Sequence, residues 1–96
     1  MDSSTIHAWV LLSIPSQGAS INDIRWRAAA INHAEPTEVE LRSSLEWLRT
    51  AELVTDDGDR LVPTQFGERI VKESWKDESM MATWQAIAAR LAPLGR

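Results

Sequence analysis

The 96-residue sequence contains no cysteine and no tyrosine, and only one phenylalanine. The absence of cysteine excludes a disulfide framework, a thiolate nucleophile and a cysteine-based metal site. There is also no glycine-rich phosphate loop, and the two histidines, His7 and His33, lie far apart with no catalytic motif around them. The sequence therefore predicts a protein that is not an enzyme and that has no metal site and no cofactor.

A surplus of basic residues and a long apolar run are missing too. The 14 acidic and 10 basic residues give a net charge of −4, opposite in sign to the surplus that usually accompanies DNA binding. The apolar N-terminal stretch carries Asp2 but no Lys or Arg, whereas a signal peptide starts with basic residues and a membrane span needs about 20 apolar residues. We expect a cytoplasmic protein without a membrane partner.

Tryptophan, by contrast, is abundant. The composition, 44% hydrophobic and 25% charged, is that of an ordinary folded protein, and the length suits one domain spanning residues 1–96. A small domain has limited room to enclose five indoles, so either all five belong to the core or at least one anchors a partner. The five are Trp9, Trp26, Trp47, Trp75 and Trp84.

Two helices are predicted in the first third of the chain. Ser3 or Ser4 is positioned to cap the first, which Pro15 ends, and Ser20 or Asn22 is positioned to cap the second. A very short extended segment around Ile21 precedes the second helix. The stripes expected to be buried are Ile6, Val10 and Ile14 in the first helix and Ile24, Ala28 and Ile31 in the second.

The third helix has the clearest boundary. In "PTEVE", Thr37 and Glu40 have the spacing of a capping box, in which each side chain bonds to the main-chain N–H of the other residue. The apolar stripe that follows, at the spacing i, i+4, i+7, consists of Leu41, Leu45 and Leu48.

A hairpin and further helical sequence follow. Residues 53–55 and 60–63 are predicted as strands around the turn "DDGD", where Gly58 supplies a positive φ. Thr64 is predicted to cap the next helix. Residues 65–92 form one long helix or two, and we favour a break near Asp77. The side chains predicted to face inward are Phe66, Ile70, Val71 and Trp75, then Met80, Trp84, Ile87 and Leu91.

This order of elements resembles the winged helix-turn-helix of MarR-like and PadR-like bacterial regulators. "LEWLRTAELV" and "LVPTQFGERI" match the family patterns Leu-x-x-Ala-Gly-Leu-Val and Leu-Thr-x-x-Gly, with Glu52 at the usual glycine and Pro63 interrupting the second strand. "INHAEPTEVEL" also resembles small stand-alone winged-helix proteins without an assigned activity. The resemblance covers about residues 5–75. It implies a mostly α (α+β) fold with a three-helix core at about 4–75, a two-stranded hairpin wing and a C-terminal helical extension at about 79–92.

In this family the helix that begins here at Thr37 reads DNA bases. Arg42 and Ser43 would then contact bases. Four further arginines would contact phosphates: Arg25 and Arg27 of the preceding helix, Arg49, and Arg60 of the hairpin. The acidic hairpin opposes that role. The full set of candidate residues for binding double-stranded DNA is Arg25, Arg27, Thr37, Val39, Arg42, Ser43, Trp47, Arg49 and Arg60.

Protein binding is the alternative. The resemblance to PadR-like proteins implies a homodimer built by the C-terminal helix, with Trp9, Met80, Met81, Trp84, Ile87 and Leu91 as candidate interface residues. The function that the resemblance favours is a DNA-binding transcriptional regulator; the alternative is a winged-helix domain that binds another protein and no DNA, since fold alone does not define function. Arginines clustered on one face away from the aspartates would favour a transcriptional regulator. Scattered arginines and exposed tryptophans would favour the interaction module.

Overall fold

The computed structural model describes residues 1–95, which form five helices and a small three-stranded antiparallel sheet, so the mostly α, α+β class is confirmed. The helices are α1 (Ser3–Leu12), α2 (Ile21–Asn32), α3 (Glu38–Thr50), α4 (Gln65–Ser74) and α5 (Met80–Leu91). The strands are β1 (Ala19–Ser20), β2 (Val54–Asp57) and β3 (Arg60–Pro63), and a 3₁₀ turn covers Ala92–Gly95.

The helices begin where side chains can satisfy their free N–H groups. The caps of α2, α3 and α4 are those predicted: Ser20, Thr37 and Thr64. The prediction for α1 is wrong, because its cap is Asp2 rather than Ser3 or Ser4. The Asp2 carboxylate accepts a hydrogen bond from the Thr5 N–H at 2.8 Å, and this bond lowers the pKa of Asp2.

The predicted break near Asp77 is confirmed, since α4 ends at Ser74 and α5 begins at Met80. The prediction that Phe66 and Trp75 face inward is wrong: their side chains are 40% and 48% exposed. Phe66 lies in the first turn of α4, beside the face that buries Gly67 and Ile70, and is only partly covered there. Trp75 follows the end of α4 in an extended conformation (φ −62°, ψ 131°), so it leaves the helical stripe.

The sheet has one strand more than expected, in the order β1-β3-β2. β1 pairs with β3, and Ile21 is not extended but starts α2. Gly18 (φ +87°) makes this pairing possible, because a Cβ at this position would lie 2.8 Å from the Val62 side chain. At the other end of the hairpin, Gly58 has the predicted positive φ of +66°.

The hydrophobic core draws on every helix and on the hairpin, and α5 packs along α1. Trp9 and Trp84 stack with ring centroids 5.7 Å apart. Each indole N–H has a main-chain partner: Trp9 donates to the Ala28 carbonyl at 2.8 Å and Trp84 to the Thr5 carbonyl at 2.7 Å. The C-terminal helix is therefore part of the core. The leucine stripe of α3 is buried as predicted.

The end of α3 turns sharply into the hairpin. The Leu53 N–H donates to the Leu48 carbonyl at 2.9 Å and the Glu52 N–H donates to the Arg49 carbonyl at 3.0 Å, the hydrogen bonds of a Schellman motif. Glu52 occupies the left-handed position of this motif, with φ +63°. Gly67 of α4 lies so close to the turn that a Cβ would overlap the Leu53 carbonyl oxygen.

Candidate functional site

The outer face of α3 is exposed to solvent. Its capping box is complete: Thr37 Oγ1 accepts from the Glu40 N–H at 3.0 Å, and a Glu40 carboxylate oxygen accepts from the Thr37 N–H at 2.9 Å. With the leucine stripe facing the core, Arg42, Ser43 and Val39 point outward, and Val39 is 73% exposed. The candidate base-contacting residues therefore share an accessible surface.

Two arginines of this surface converge on one carboxylate. Arg25 Nη2 donates to Glu38 at 2.8 Å, and Arg42 Nε donates to the other oxygen of the same carboxylate at 2.5 Å. The hydrogen bond and charge of Arg42, with a smaller effect from Arg25, lower the pKa of Glu38, so the carboxylate stays ionised. The two guanidinium groups lie together, but an acid lies between them.

The remaining arginines near the hairpin are also occupied. Arg49 forms a bidentate pair with Asp56 of β2, at 3.1 Å through both Nε and Nη2. Arg60 donates to the carbonyls of Gln17 and Gly18, at 3.1 and 2.6 Å. Arg60 thus ties the hairpin to the loop before β1 rather than projecting from it.

Trp47 also has a structural partner. Its ring is half-buried and stacks on His7, with centroids 4.5 Å apart and planes 13° from parallel. His7 Nδ1 is hydrogen-bonded to the buried Ser44 hydroxyl at 3.0 Å, and partial burial lowers the pKa of His7. This arrangement links α1 to α3 and leaves Trp47 only partly available to a ligand.

Five basic side chains within residues 1–95 have no ion pair among the described residues: Arg27, Arg60, Arg69, Lys72 and Lys76. Two of them, Arg27 and Arg60, belong to the candidate DNA-binding set, and Arg60 is held by main-chain carbonyls. Arg69 and Lys72 lie on α4, and Lys76 follows it. We call these cations uncommitted. Most of them lie on α4 or directly after it, and none lies on α3.

The tryptophans divide between core and surface. Trp9 and Trp84 are buried, whereas Trp26 on α2 is 63% exposed and Trp75 nearly half exposed. Sequence reasoning placed Trp75 in the core because it continues the spacing of Ile70 and Val71. The predicted break near Asp77 is the sequence signal that places Trp75 at the end of the helix.

The candidate dimer interface is reduced by the packing of α5. Four of its six residues are almost completely buried inside their own chain: Trp9, Trp84, Ile87 and Leu91. These side chains cannot reach a second copy while the fold is intact. Met80 and Met81, at the start of α5, remain exposed and available to a partner.

Two surface depressions adjoin these methionines. One, of about 470 Å³, lies where α2 and the C-terminal ends of α1 and α4 meet, and it includes Arg27, Trp75 and Met80. The other, of about 450 Å³, lies between α5 and the N-terminal end of α1 and includes Met81. Arg27, Met80 and Met81 are among the residues that the sequence nominated, but Lys72 of α4 and the two depressions themselves are not part of the sequence-based sites.

Within residues 1–95, no group of three histidine or acidic side chains is arranged to hold a metal ion. No helix of this described part is long and apolar enough to cross a bilayer. Comparison of the chain with protein-family models, with curated proteins and with solved structures gives no match.

Proposed function

We propose that this chain is a winged helix-turn-helix module whose main function is to bind another protein. The fold part of the proposal is supported by the element order, in which α2 and α3 precede the β2–β3 hairpin and α4 follows it, as in a winged helix. In these terms α3 is the recognition helix and the hairpin is the wing.

The pairing of the α3 arginines with carboxylates carries the proposal. DNA affinity comes largely from phosphates neutralised by Lys and Arg. Separating an exposed ion pair costs under about 1 kcal/mol, so the pairs alone do not prevent binding. A phosphate that takes over an arginine, however, would still lie beside the carboxylate that had paired with it. The carboxylates of α3 and the hairpin also outnumber the five candidate arginines. These six carboxylates belong to Glu38, Glu40, Glu46, Asp56, Asp57 and Asp59.

The exposed aromatic and apolar side chains support protein binding. Trp26, Trp75, Met80 and Met81 are all more than two-fifths exposed. Tryptophan and methionine are enriched in protein interfaces, and tryptophan frequently dominates their binding energy. Affinity purification with the wild type and with the Trp26→Ser, Trp75→Ser variant tests this point. We expect a co-purifying protein that the variant fails to retain.

The DNA hypothesis is tested by fluorescence anisotropy with a labelled duplex of random sequence, from low to physiological salt. We expect no binding even at low salt, where electrostatic attraction is strongest. The variants are Arg42→Ala and Arg60→Glu, with Arg90→Ala as control, because Arg90 pairs with Glu73 away from α3. Binding that falls steeply with salt and weakens with Arg42→Ala but not with Arg90→Ala would overturn the proposal.

The second candidate function is a homodimeric transcriptional regulator that binds double-stranded DNA. The observation that favours it is the uncovered outer face of α3, where Arg25 and Arg42 lie side by side around Glu38. A dimer would present two such faces, which raises the number of phosphate contacts. Sedimentation analysis tests the dimer directly, and the Met80→Glu, Met81→Glu variant should dissociate it if α5 forms the interface.

A further inference from the structure

Two adjoining depressions on the surface form a groove, and each is lined by one cation that has no ion pair within residues 1–95. The 470 Å³ depression shares Ile14, Ser16 and Val71 with an adjoining one of about 260 Å³ that reaches Pro63 and Lys72. We call this surface the α1/α4 groove. Its apolar lining includes Leu12, Ile14, Pro15, Ile31, Val71 and Met80.

Each of the two depressions has one basic side chain in its lining. Arg27 lines one depression and Lys72 the other, and neither forms an ion pair within residues 1–95. By contrast, Arg25, Arg42 and Arg49 are all paired. The acidic residue along the groove is Glu68, in the same depression as Lys72. In a chain of net charge −4, an apolar surface with uncommitted cations in its lining is complementary to an apolar ligand that carries carboxylates.

The walls of the groove favour a helix over an extended peptide. An added strand needs the free N–H and C=O groups of a sheet edge. Here the walls are α2 and α4, whose main-chain groups bond within the helices, and the loop of residues 13–16 that follows α1. In this loop the Ser13 and Ile14 N–H groups bond back to carbonyls of α1, and Pro15 has no N–H. Side chains must therefore provide the contacts, as when an amphipathic helix lays its apolar stripe in a groove.

We propose that the α1/α4 groove binds an amphipathic helix of another protein that carries carboxylates beside its apolar stripe. The proposal rests on the protein-binding function and names its surface and the chemistry of its partner. Trp75 is the main anchor, because its half-exposed ring lines the groove outside the helical stripe. Arg27 and Lys72 select the charge of the partner.

Two synthetic helical peptides of about 15 residues, long enough for appreciable helicity, serve as probes. They share one leucine stripe at the spacing i, i+3, i+7 and differ only in flanking residues, all Glu in one and all Lys in the other. Titration is followed by ¹⁵N–¹H NMR, where the five indole N–H groups are separate reporters. The acidic peptide should shift the Trp75 indole signal and leave those of Trp9 and Trp84 in place, since both are bonded inside the core.

Charge reversal tests whether Arg27 and Lys72 select a partner by its charge. The Arg27→Glu, Lys72→Glu variant should bind the acidic peptide about tenfold more weakly and gain affinity for the lysine peptide. Arg69→Glu is the control for a single charge reversal outside the groove, because Arg69 is also a cation of α4 without an ion pair but does not line the groove. Trp75→Ala should abolish binding, and the same spectra show whether each variant remains folded.

The proposal is overturned if neither peptide shifts the Trp75 signal, if both bind equally well, or if Arg69→Glu weakens binding as much as the double reversal. If the protein binds neither peptide and no DNA, this proposal is overturned, and the protein-binding function must belong to another surface. Salt-dependent DNA binding through Arg42 overturns the protein-binding function itself, whatever the peptides do.

Discussion

Replacing Glu52 by glycine should stabilise the protein. Glu52 has φ +63° at the left-handed position of the Schellman motif that ends α3. A residue with a Cβ loses about 1–2 kcal/mol in this conformation, whereas glycine adopts it without steric cost. Glycine is more flexible in the unfolded chain, which offsets about 0.5–1 kcal/mol of the gain. The Glu52 side chain also places a negative charge at the negative end of the α3 dipole, so removing this charge adds about 0.3–1 kcal/mol to the stability.

The net expectation for Glu52→Gly is a free energy of unfolding raised by about 1 kcal/mol, or a Tm raised by about 4–8 °C for a domain of this size. Urea and thermal unfolding followed by far-UV circular dichroism measure both quantities. Glu52→Ala is the control, because it removes the charge but retains the Cβ and its strain. A Glu52→Gly variant no more stable than Glu52→Ala would refute the conformational argument.

Three further predictions concern stability. Gly67→Ala should destabilise the fold by about 3 kcal/mol or more, because its Cβ overlaps the Leu53 carbonyl oxygen, and chemical denaturation measures the loss. Thr37→Ala should cost about 1 kcal/mol by removing the cap of α3, whereas Thr37→Ser should retain most of the stability in the same assay. Because burial lowers the pKa of His7 below its ordinary value of 6.5, the unfolded chain binds the proton more readily. Stability should therefore fall as the pH drops from 7.5 to about 5.5, and urea unfolding of His7→Gln should show a weaker dependence.

Local signals in the sequence predicted most of the helix boundaries. A cap such as Thr37 or Thr64 acts within one turn, and the leucine stripe of α3 follows from helical spacing alone, so neither requires knowledge of the tertiary fold. The break near Asp77 is of the same kind. The ion pair between Glu38 and Arg42 could also have been predicted, since the two residues are four positions apart on one helix.

The features that the sequence did not predict depend on contacts between residues that are far apart in the chain or on where a helix stops. The pairing of β1 with β3 depends on the close approach that Gly18 permits, and the bond from Arg60 to the Gly18 carbonyl joins residues 42 positions apart. The orientation of Trp75 depends on where α4 stops. In the candidate site, the pair between Arg25 and Glu38 links two helices, so its effect on the charge of α3 emerges only when those helices pack.

The first turn of α3 shows why its stability and DNA binding compete. Glu38 and Glu40 both lie in this turn, where a carboxylate interacts favourably with the positive end of the helix dipole and Glu40 also completes the capping box. The N-terminus of a helix is also where a phosphate is most readily bound, through the same N–H groups and the same dipole. A carboxylate already present there supplies the negative charge that a phosphate would bring. Neutralising Glu38 by Glu38→Gln should therefore raise any DNA affinity of this face more than Glu73→Gln, a matched change at the ion pair with Arg90. Equal effects of the two changes would mean that net charge alone, and not the charge at the start of α3, keeps DNA away.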